Sequence, residues 1–261
     1  MSNDYDSSDV ELFRDNVRRF LAEHIAPDYQ QWETAGITPR GLWNKLGEAG
    51  FLCVDVPEEH GGSGAPFIFS MALLEEFGRA GFPSVSGGMA VHSDVVAHYL
   101  VNCGSDQQRQ HYLPKMATGE LVGAIAMTEP GAGSDLQSII TSAEEDGDHY
   151  IINGSKTFIS NGQHCDFVVV AARTNKAVAG AKGTSLFIVD CSNPGFQRGR
   201  NLEKIGLHAA DTSELFFTEM RVPKSAMLGQ PDRGFVVLMS ELQRERLSLG
   251  FIAVSAAEGT L

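Results

Sequence analysis

The chain has 261 residues, 43% of them hydrophobic, which is enough to build one large hydrophobic core or two moderate ones. Its 33 acidic residues outnumber its 20 lysines and arginines, and the formal net charge of -13 argues against a general nucleic-acid binder, which must neutralise phosphates. Any anionic ligand therefore needs a local cluster of cations.

The N-terminal segment, residues 1–9, is acidic and polar. It has no basic region followed by an apolar run and no Arg-rich amphipathic pattern, so neither secretion nor organelle import is supported. The longest apolar runs, such as residues 167–172, have the length of a strand and fall far short of the ~20 residues that a membrane-spanning helix needs. We therefore expect a cytoplasmic protein without a membrane span.

Helical periodicity dominates the first part of the chain. Apolar residues recur at helical spacing from Ser8 to Ile25, and Pro27 marks the predicted end of this first helix. The same kind of pattern predicts helices at residues 39–49, 67–79, 85–103 and 105–118. Within the last of them, Pro114 predicts a kink or a break. Residues 1–120 are therefore predicted to form an N-terminal α-helical bundle domain.

Short β-rich runs follow and are separated by Asn-Gly and Pro-Gly turns. They occupy residues 121–127, 150–158, 167–172, 185–189 and 214–222. Strands at this spacing, without helices between them, predict an antiparallel β-sandwich or barrel. We assign residues 121–230 to this middle β domain.

Helical periodicity returns at residues 234–258, close to the end of the sequence. One long helix with nothing to pack against predicts an incomplete polypeptide. We therefore interpret residues 231–261 as the first helix of a truncated C-terminal helical domain. The fold class predicted for the whole chain is α+β.

A loop rich in glycine and hydroxyl groups, residues 127–135, follows the first predicted strand. Its glycines let the backbone approach a ligand, and its hydroxyl and N–H groups can meet ring acceptors or phosphates. The alternative is an ordinary Gly-rich β-turn. The loop is not a dinucleotide-binding fingerprint, because the G-x-G-x-x-G pattern is incomplete and lacks its flanking elements.

The ten residues AMTEPGAGSD at 126–135 resemble the flavin-loop signature of acyl-CoA dehydrogenases, most like the long-chain type. Further blocks agree in the same order: PEEHGG at 57–62, NGSKTFISNG at 153–162, and the segment 204–223, which begins with KIG and ends with VP. This resemblance covers essentially the whole chain. It implies FAD as the cofactor and α,β-dehydrogenation of a fatty acyl-CoA, as in fatty acid β-oxidation. It further implies electron-transfer flavoprotein as the electron acceptor and a homo-oligomer when the protein is full length.

The resemblance also implies a set of cofactor-binding residues. Thr128 and the backbone at Met127 are expected at the pyrimidine edge of the flavin, and Phe158 beside its ring. Ser134 is expected between the flavin phosphates and the acyl-CoA. The complete implied set is Ile125, Met127, Thr128, Gly133, Ser134, Phe158, Ile159 and Ser160. Without the resemblance, we would interpret Phe158 as a core residue and Ser160 as a turn hydroxyl.

Charged residues alternate on the C-terminal helix around Glu245. Taken alone, this pattern indicates a solvated face with ion pairs, which is also the role predicted for Glu241. The resemblance instead implies that Glu245, followed by Arg246 and Leu247, is the catalytic base, and we expect burial to raise its pKa. The implied substrate-binding residues are Ser134, Ala181, Lys182, Gln243, Arg244 and Arg246.

Two other functions fit the same residues. A flavin-dependent monooxygenase or oxidase keeps the fold and changes the reaction, and an inactive fragment would act at most as a binding module. The cysteines and histidines show no metal-ligand spacing and no Ser/His/Asp order, so neither a metal site nor a hydrolase triad is predicted.

Overall fold

Helices form the first part of the computed structural model, which describes residues Ser7–Leu261. Their bounds are α1 Ser7–Phe20, continued by a π-helical segment Leu21–Ile25; α2 Tyr29–Ala35; α3 Gly41–Glu48; α4 Phe67–Arg79; α5 Pro83–Ala90, continued by a π-helical segment Val91–Val96; α6 Ala97–Cys103; and α7 Asp106–Ala117. The predicted helices are all present, and α2 is an additional one.

The last helix of this group, α7, shows how local sequence sets its ends. Ser105 is the N-cap, and its hydroxyl accepts from the backbone N–H of Gln108 while the Gln108 side chain accepts from the N–H of Ser105. The predicted break at Pro114 is wrong, because the helix continues to Ala117. Pro114 lies in the last turn, where little helix remains to be disrupted.

The middle of the chain forms a mixed sheet. Its strands are β1 Gly123–Ala126, β2 Ser142–Asp146, β3 His149–Ser160, β4 Phe167–Arg173, β5 Thr184–Asp190, β6 Phe196–Asn201, β7 Thr212–Pro223 and β8 Met227–Leu228. They follow the order β6-β7-β3-β2-β4-β5-β8, and β1 pairs with β4. The predicted sheet is confirmed, but β4 pairs in parallel with both β1 and β2, because the β2–β3 hairpin lies between β1 and β4 in the chain.

The helices and the sheet share a hydrophobic core at their junction. Buried side chains of the second π-helical segment and of α6, including Val96 and Leu100, pack with Phe167 of β4. Leu238, near the start of the last helix, belongs to the same core. A cavity at this junction is therefore walled by three structural units.

The last helix, α8, spans Gly234–Thr260 and packs along α4. The expectation that it has nothing to pack against is thus wrong for one of its faces. The two helices approach closely at Gly78, where an added Cβ would lie 2.0 Å from the Ser255 hydroxyl oxygen. Along Ser7–Leu261, no helix is both long and apolar enough to cross a membrane.

Candidate active site

A cavity of about 170 Å³ lies where the helices, the sheet and α8 meet. Its walls come from the end of α5 and the π-helical segment, from β1 and the loop after it, from the end of β3, and from the middle of α8. The lining residues are Ala90, Val91, Val95, Ile125, Met127, Thr128, Phe158, Ile159, Ser160, Glu245, Ser248 and Leu249.

The cavity brings together residues that are far apart in the sequence. The predicted site residues in its wall are Ile125, Met127, Thr128, Phe158, Ile159, Ser160 and Glu245. Six of these seven had been assigned to the cofactor and the seventh to catalysis. One further polar group, the Ser248 hydroxyl, is buried in the wall and has no hydrogen-bond partner among the described residues.

The loop after β1 is held to β3 by a buried ion pair. Lys156 Nζ lies 2.9 Å from Glu129 Oε1 and also donates to the carbonyl oxygen of Met127 at 2.9 Å. The two side chains are 0% and 3% exposed. The next residue of β3 adds a backbone contact: the N–H of Thr157 donates to the carbonyl oxygen of Thr128 at 3.0 Å. Residues 127–129 therefore have little freedom to move relative to the sheet.

Glu129 has further partners that fix its charge state. The backbone N–H groups of Ile140 and Thr141 donate to its two carboxylate oxygens at 2.7 and 2.9 Å. These donors and the Lys156 ammonium lower the pKa of Glu129 despite its burial. Burial lowers the pKa of Lys156 to about 8, although Glu129 opposes this shift. We infer an ionised pair at neutral pH. The sequence-based assignment missed both residues.

Phe158 presents its ring at the rim of the cavity. Its φ is +59°, in the left-handed region that non-glycine residues rarely adopt, and its side chain is 67% exposed. The pairing of β3 with β7 shifts register between Lys156 and Ile159, so a bulge turns this residue out of the alternating pattern of the strand. The alternative interpretation of Phe158 as a core residue is wrong.

Glu245 reaches the cavity from α8 and is 9% exposed. Tyr99 Oη donates a hydrogen bond to its Oε1 at 2.9 Å. Burial raises the pKa of Glu245, which confirms the expected direction; the Tyr99 hydrogen bond and the nearby Arg246 oppose the shift. Glu241 adds to the increase as a like charge. Its partly exposed carboxylate accepts a hydrogen bond from Asn102 at 3.0 Å, which is compatible with the predicted solvated position.

Arg244, one residue before Glu245, belongs to a separate charged cluster. Its guanidinium pairs with Asp55 and lies 3.6 Å from Asp94 Oδ1, and it stacks 4.1 Å above the ring of Phe67. His98 Nε2 forms a hydrogen bond with the other carboxylate oxygen of Asp55, Oδ1, at 3.0 Å. These contacts fasten α8 to the N-terminal helices. Substrate contact by Arg244 stays a prediction, and in this structure its guanidinium already has these protein partners.

The remaining predicted residues do not line the cavity. Gly133 and Ser134 are exposed on the loop before β2, and Gln243 and Arg246 are exposed on α8. Ala181 and Lys182 belong to a short 3-10 turn, Gly180–Lys182, that packs against both α8 and the 3-10 turn Leu136–Ser138. Their roles toward a ligand stay predictions.

The fold and the cavity together define a class of α+β protein in which a buried carboxylate on a helix faces a cavity walled by a loop and a strand end. Residues 7–120 match the family model "Acyl-CoA dehydrogenase, N-terminal domain", and residues 124–220 match "Acyl-CoA dehydrogenase, middle domain". The chain belongs to the acyl-CoA dehydrogenase family.

Individual relatives agree with this assignment. The long-chain specific acyl-CoA dehydrogenase of Sus scrofa is 47% identical over 254 residues, which cover 97% of this chain and 58% of that protein. An acyl-CoA dehydrogenase structure from Geobacillus kaustophilus superposes with a TM-score of 0.94 at 47% identity, covering 99% of this chain and 68% of that one. A glutaryl-CoA dehydrogenase from Mycobacterium smegmatis, solved in complex with FADH2, gives a TM-score of 0.89 at 28% identity, over 98% and 64% of the two chains.

Proposed function

We propose that this chain forms the flavin site and part of the substrate site of an FAD-dependent acyl-CoA dehydrogenase that oxidises the α,β bond of fatty acyl-CoA thioesters. One observation carries the proposal. The buried carboxylate of Glu245 lines the same cavity as six residues that the sequence resemblance assigns to the flavin. A base and a hydride acceptor must both face the acyl chain for such a reaction, and this cavity brings the proposed base to the same wall as the proposed flavin contacts.

The residues present fit a flavin. Thr128 and Ser160 supply hydroxyl groups to the cavity wall, and the ring of Phe158 supplies a flat, largely exposed surface at its rim. Gly131 and Gly133 lie in open space, where an added Cβ would meet no atom within 4 Å, so the loop backbone is accessible to phosphates. FAD bound here would accept the β-hydrogen as hydride. The FADH2 complex of the Mycobacterium smegmatis relative supports this cofactor.

Glu245 supplies the base. The proton on the carbon next to a thioester is weakly acidic, and a carboxylate removes it more effectively when burial has raised its pKa. The carboxylate oxygens are fixed on a rigid helix, which limits the entropy lost on reaching the reactive geometry. The apolar wall of Ala90, Val91 and Val95 keeps water away from the reacting atoms and can accept an acyl chain.

The long-chain preference and the acceptor are the finer parts of the proposal. The similarity to the Sus scrofa long-chain enzyme supports a long acyl group. Ser134, Lys182 and the helix residues Gln243, Arg244 and Arg246 are the proposed contacts for the CoA end of the substrate. Electron-transfer flavoprotein is the proposed acceptor, in a homo-oligomeric enzyme.

Anaerobic titration of the flavoprotein that carries this chain tests the proposal. A long-chain saturated acyl-CoA should bleach the flavin absorbance, and the colour should return only when an electron carrier is added. Rapid return of the colour with O₂ alone would indicate an oxidase or monooxygenase instead. A protein that takes up no flavin, or whose flavin is not bleached by any acyl-CoA, would contradict the proposal.

A further inference from the structure

Tyr99 is the only described residue whose side chain hydrogen-bonds the carboxylate of Glu245. Its Oη lies 2.9 Å from Glu245 Oε1 although the two residues are 146 positions apart in the chain. The phenol is 0% exposed and packs in the junction core. A hydroxyl in such surroundings needs a partner, because an unpaired buried donor is costly. The Tyr99 hydroxyl and the Glu245 carboxylate therefore satisfy each other.

Helix geometry explains how Tyr99 reaches this position. Val91, Val95 and Tyr99 follow one another at four-residue intervals, and the first two line the cavity. Residues four apart lie on the same face of a helix, so these side chains follow one another along the π-helical segment Val91–Val96 and into α6, Ala97–Cys103. π-Helical insertions of this kind occur often at functional sites. The same face that forms the cavity wall thus continues to the phenol that meets the base.

We propose that Tyr99 is a positioning residue for the catalytic base, which holds one carboxylate oxygen of Glu245 in place and favours its ionised form. This inference rests on the proposed role of Glu245. The hydrogen bond leaves the other oxygen, Oε2, to take the proton. A carboxylate that received no hydrogen bond in so buried a place would be driven toward its neutral form, which is no base.

Two charged groups on α8 also act on the pKa of Glu245, and one of them, Glu241, acts in the direction opposite to Tyr99. Glu241, on the same helix, raises the pKa of Glu245, while Arg246 lowers it. From α6, Tyr99 lowers the pKa of Glu245 through the hydrogen bond, and Cys103 acts on the pKa of Tyr99. Removing the Tyr99 hydroxyl and removing the Glu241 charge should therefore move the titration of Glu245 in opposite directions.

The test is Tyr99→Phe in the flavoprotein that carries this chain, with Tyr112→Phe as the matched control. Tyr112 is a partly buried tyrosine that packs against Phe167 and does not line the cavity. Loss of a hydrogen bond to a charged group corresponds to a shift of about one pH unit or more. In Tyr99→Phe, the acid limb of the pH profile of flavin reduction should move upward by this amount, and Tyr112→Phe should leave it in place.

Infrared titration of the Glu245 carboxyl, assigned by its disappearance in Glu245→Gln, gives a readout that does not depend on catalysis. It should show the same upward shift in Tyr99→Phe. A pH midpoint of the Glu245 titration that is unchanged or lower in a folded Tyr99→Phe protein would overturn the proposal. If that variant does not fold, 3-fluorotyrosine is introduced at position 99 instead. Its more acidic phenol donates a stronger hydrogen bond and should lower the pH midpoint of the Glu245 titration. An unchanged midpoint would overturn the proposal. Normal flavin reduction by Glu245→Gln would instead overturn the proposed function while leaving the infrared result intact.

Discussion

Replacing Glu129 by Gln removes the buried carboxylate that holds the loop after β1 to β3. The variant leaves the Lys156 ammonium, 0% exposed, with the carbonyl oxygen of Met127 as its remaining strong partner. Gln keeps the size but has one acceptor oxygen for the two backbone N–H groups of Ile140 and Thr141, so the change removes the charge together with one backbone hydrogen bond. Breaking a buried ion pair on one side costs about 3–5 kcal/mol of stability. We expect the stability loss of Glu129→Gln to fall in this range. The variant should also release flavin more readily, since Met127 and Thr128, which line the cavity, belong to the loop that Glu129 holds.

Urea unfolding followed by circular dichroism measures this change, and flavin release is followed by fluorescence. Glu144→Gln is the matched control, because Glu144 pairs with Lys176 on the surface, where the two side chains are 69% and 61% exposed. An exposed pair contributes about 0–1 kcal/mol. The double variant Glu129→Gln with Lys156→Met should lose less stability than Glu129→Gln, because it leaves no buried charge. A Glu129→Gln protein as stable as Glu144→Gln would refute the reasoning.

Two further predictions concern other groups around the site. Burial, followed by the like charge of Asp55, raises the pKa of Asp94 from an ordinary 3.8 to about 7, so the folded protein holds this proton more tightly than the unfolded chain. The stability from this group is therefore full below the ordinary value and is lost as pH rises through about 7, a difference of about 2–3 kcal/mol between pH 5 and pH 8. Asp94→Asn should remove that part of the pH dependence in urea unfolding, and an unchanged pH dependence would assign it elsewhere. Ser134→Ala should weaken both flavin retention and acyl-CoA binding, by about 1.5–3 kcal/mol for each lost bond to a charged group; unchanged equilibrium binding of both ligands would remove Ser134 from the site.

Elements with a strong apolar period could be predicted from the sequence, and polar ones could not. The bounds of α4, Phe67–Arg79, match the prediction, because its apolar residues mark one buried side clearly. The strand β2, Ser142–Asp146, was missed, since SAEED has no apolar alternation. It forms because Gly147, with a φ of +59°, allows a tight turn that pairs β2 with β3. The edge strand β6, Phe196–Asn201, was also missed, because its sequence FQRGRN is polar and shows no apolar alternation.

The site divides in a similar way. The loop at 127–129 and Glu245 were predicted because short motifs carry them, whereas Tyr99 and Arg244 acquire their contacts only through tertiary packing. Lys156 did carry a signal. It stands two residues after Gly154 and four after the buried Ile152, so strand alternation places it on the inward side, where a lysine requires an acidic partner. Which acid it meets, Glu129, depends on how β1 and β3 are arranged in the sheet.

The function of Glu245 is tested most directly by Glu245→Gln, which preserves the shape of the side chain and removes its basicity. Glu258→Gln is the appropriate control, because Glu258 lies on the same helix and makes an exposed pair with Arg79. Glu241→Gln is unsuitable, since Glu241 acts on the pKa of Glu245. The measurement is the stopped-flow rate of flavin bleaching by a long-chain acyl-CoA. We predict that Glu245→Gln still binds flavin and acyl-CoA but bleaches at least about 100-fold more slowly, while Glu258→Gln is unaffected. Bleaching of Glu245→Gln at the rate of the unmodified protein would show that the base lies elsewhere and would contradict the account.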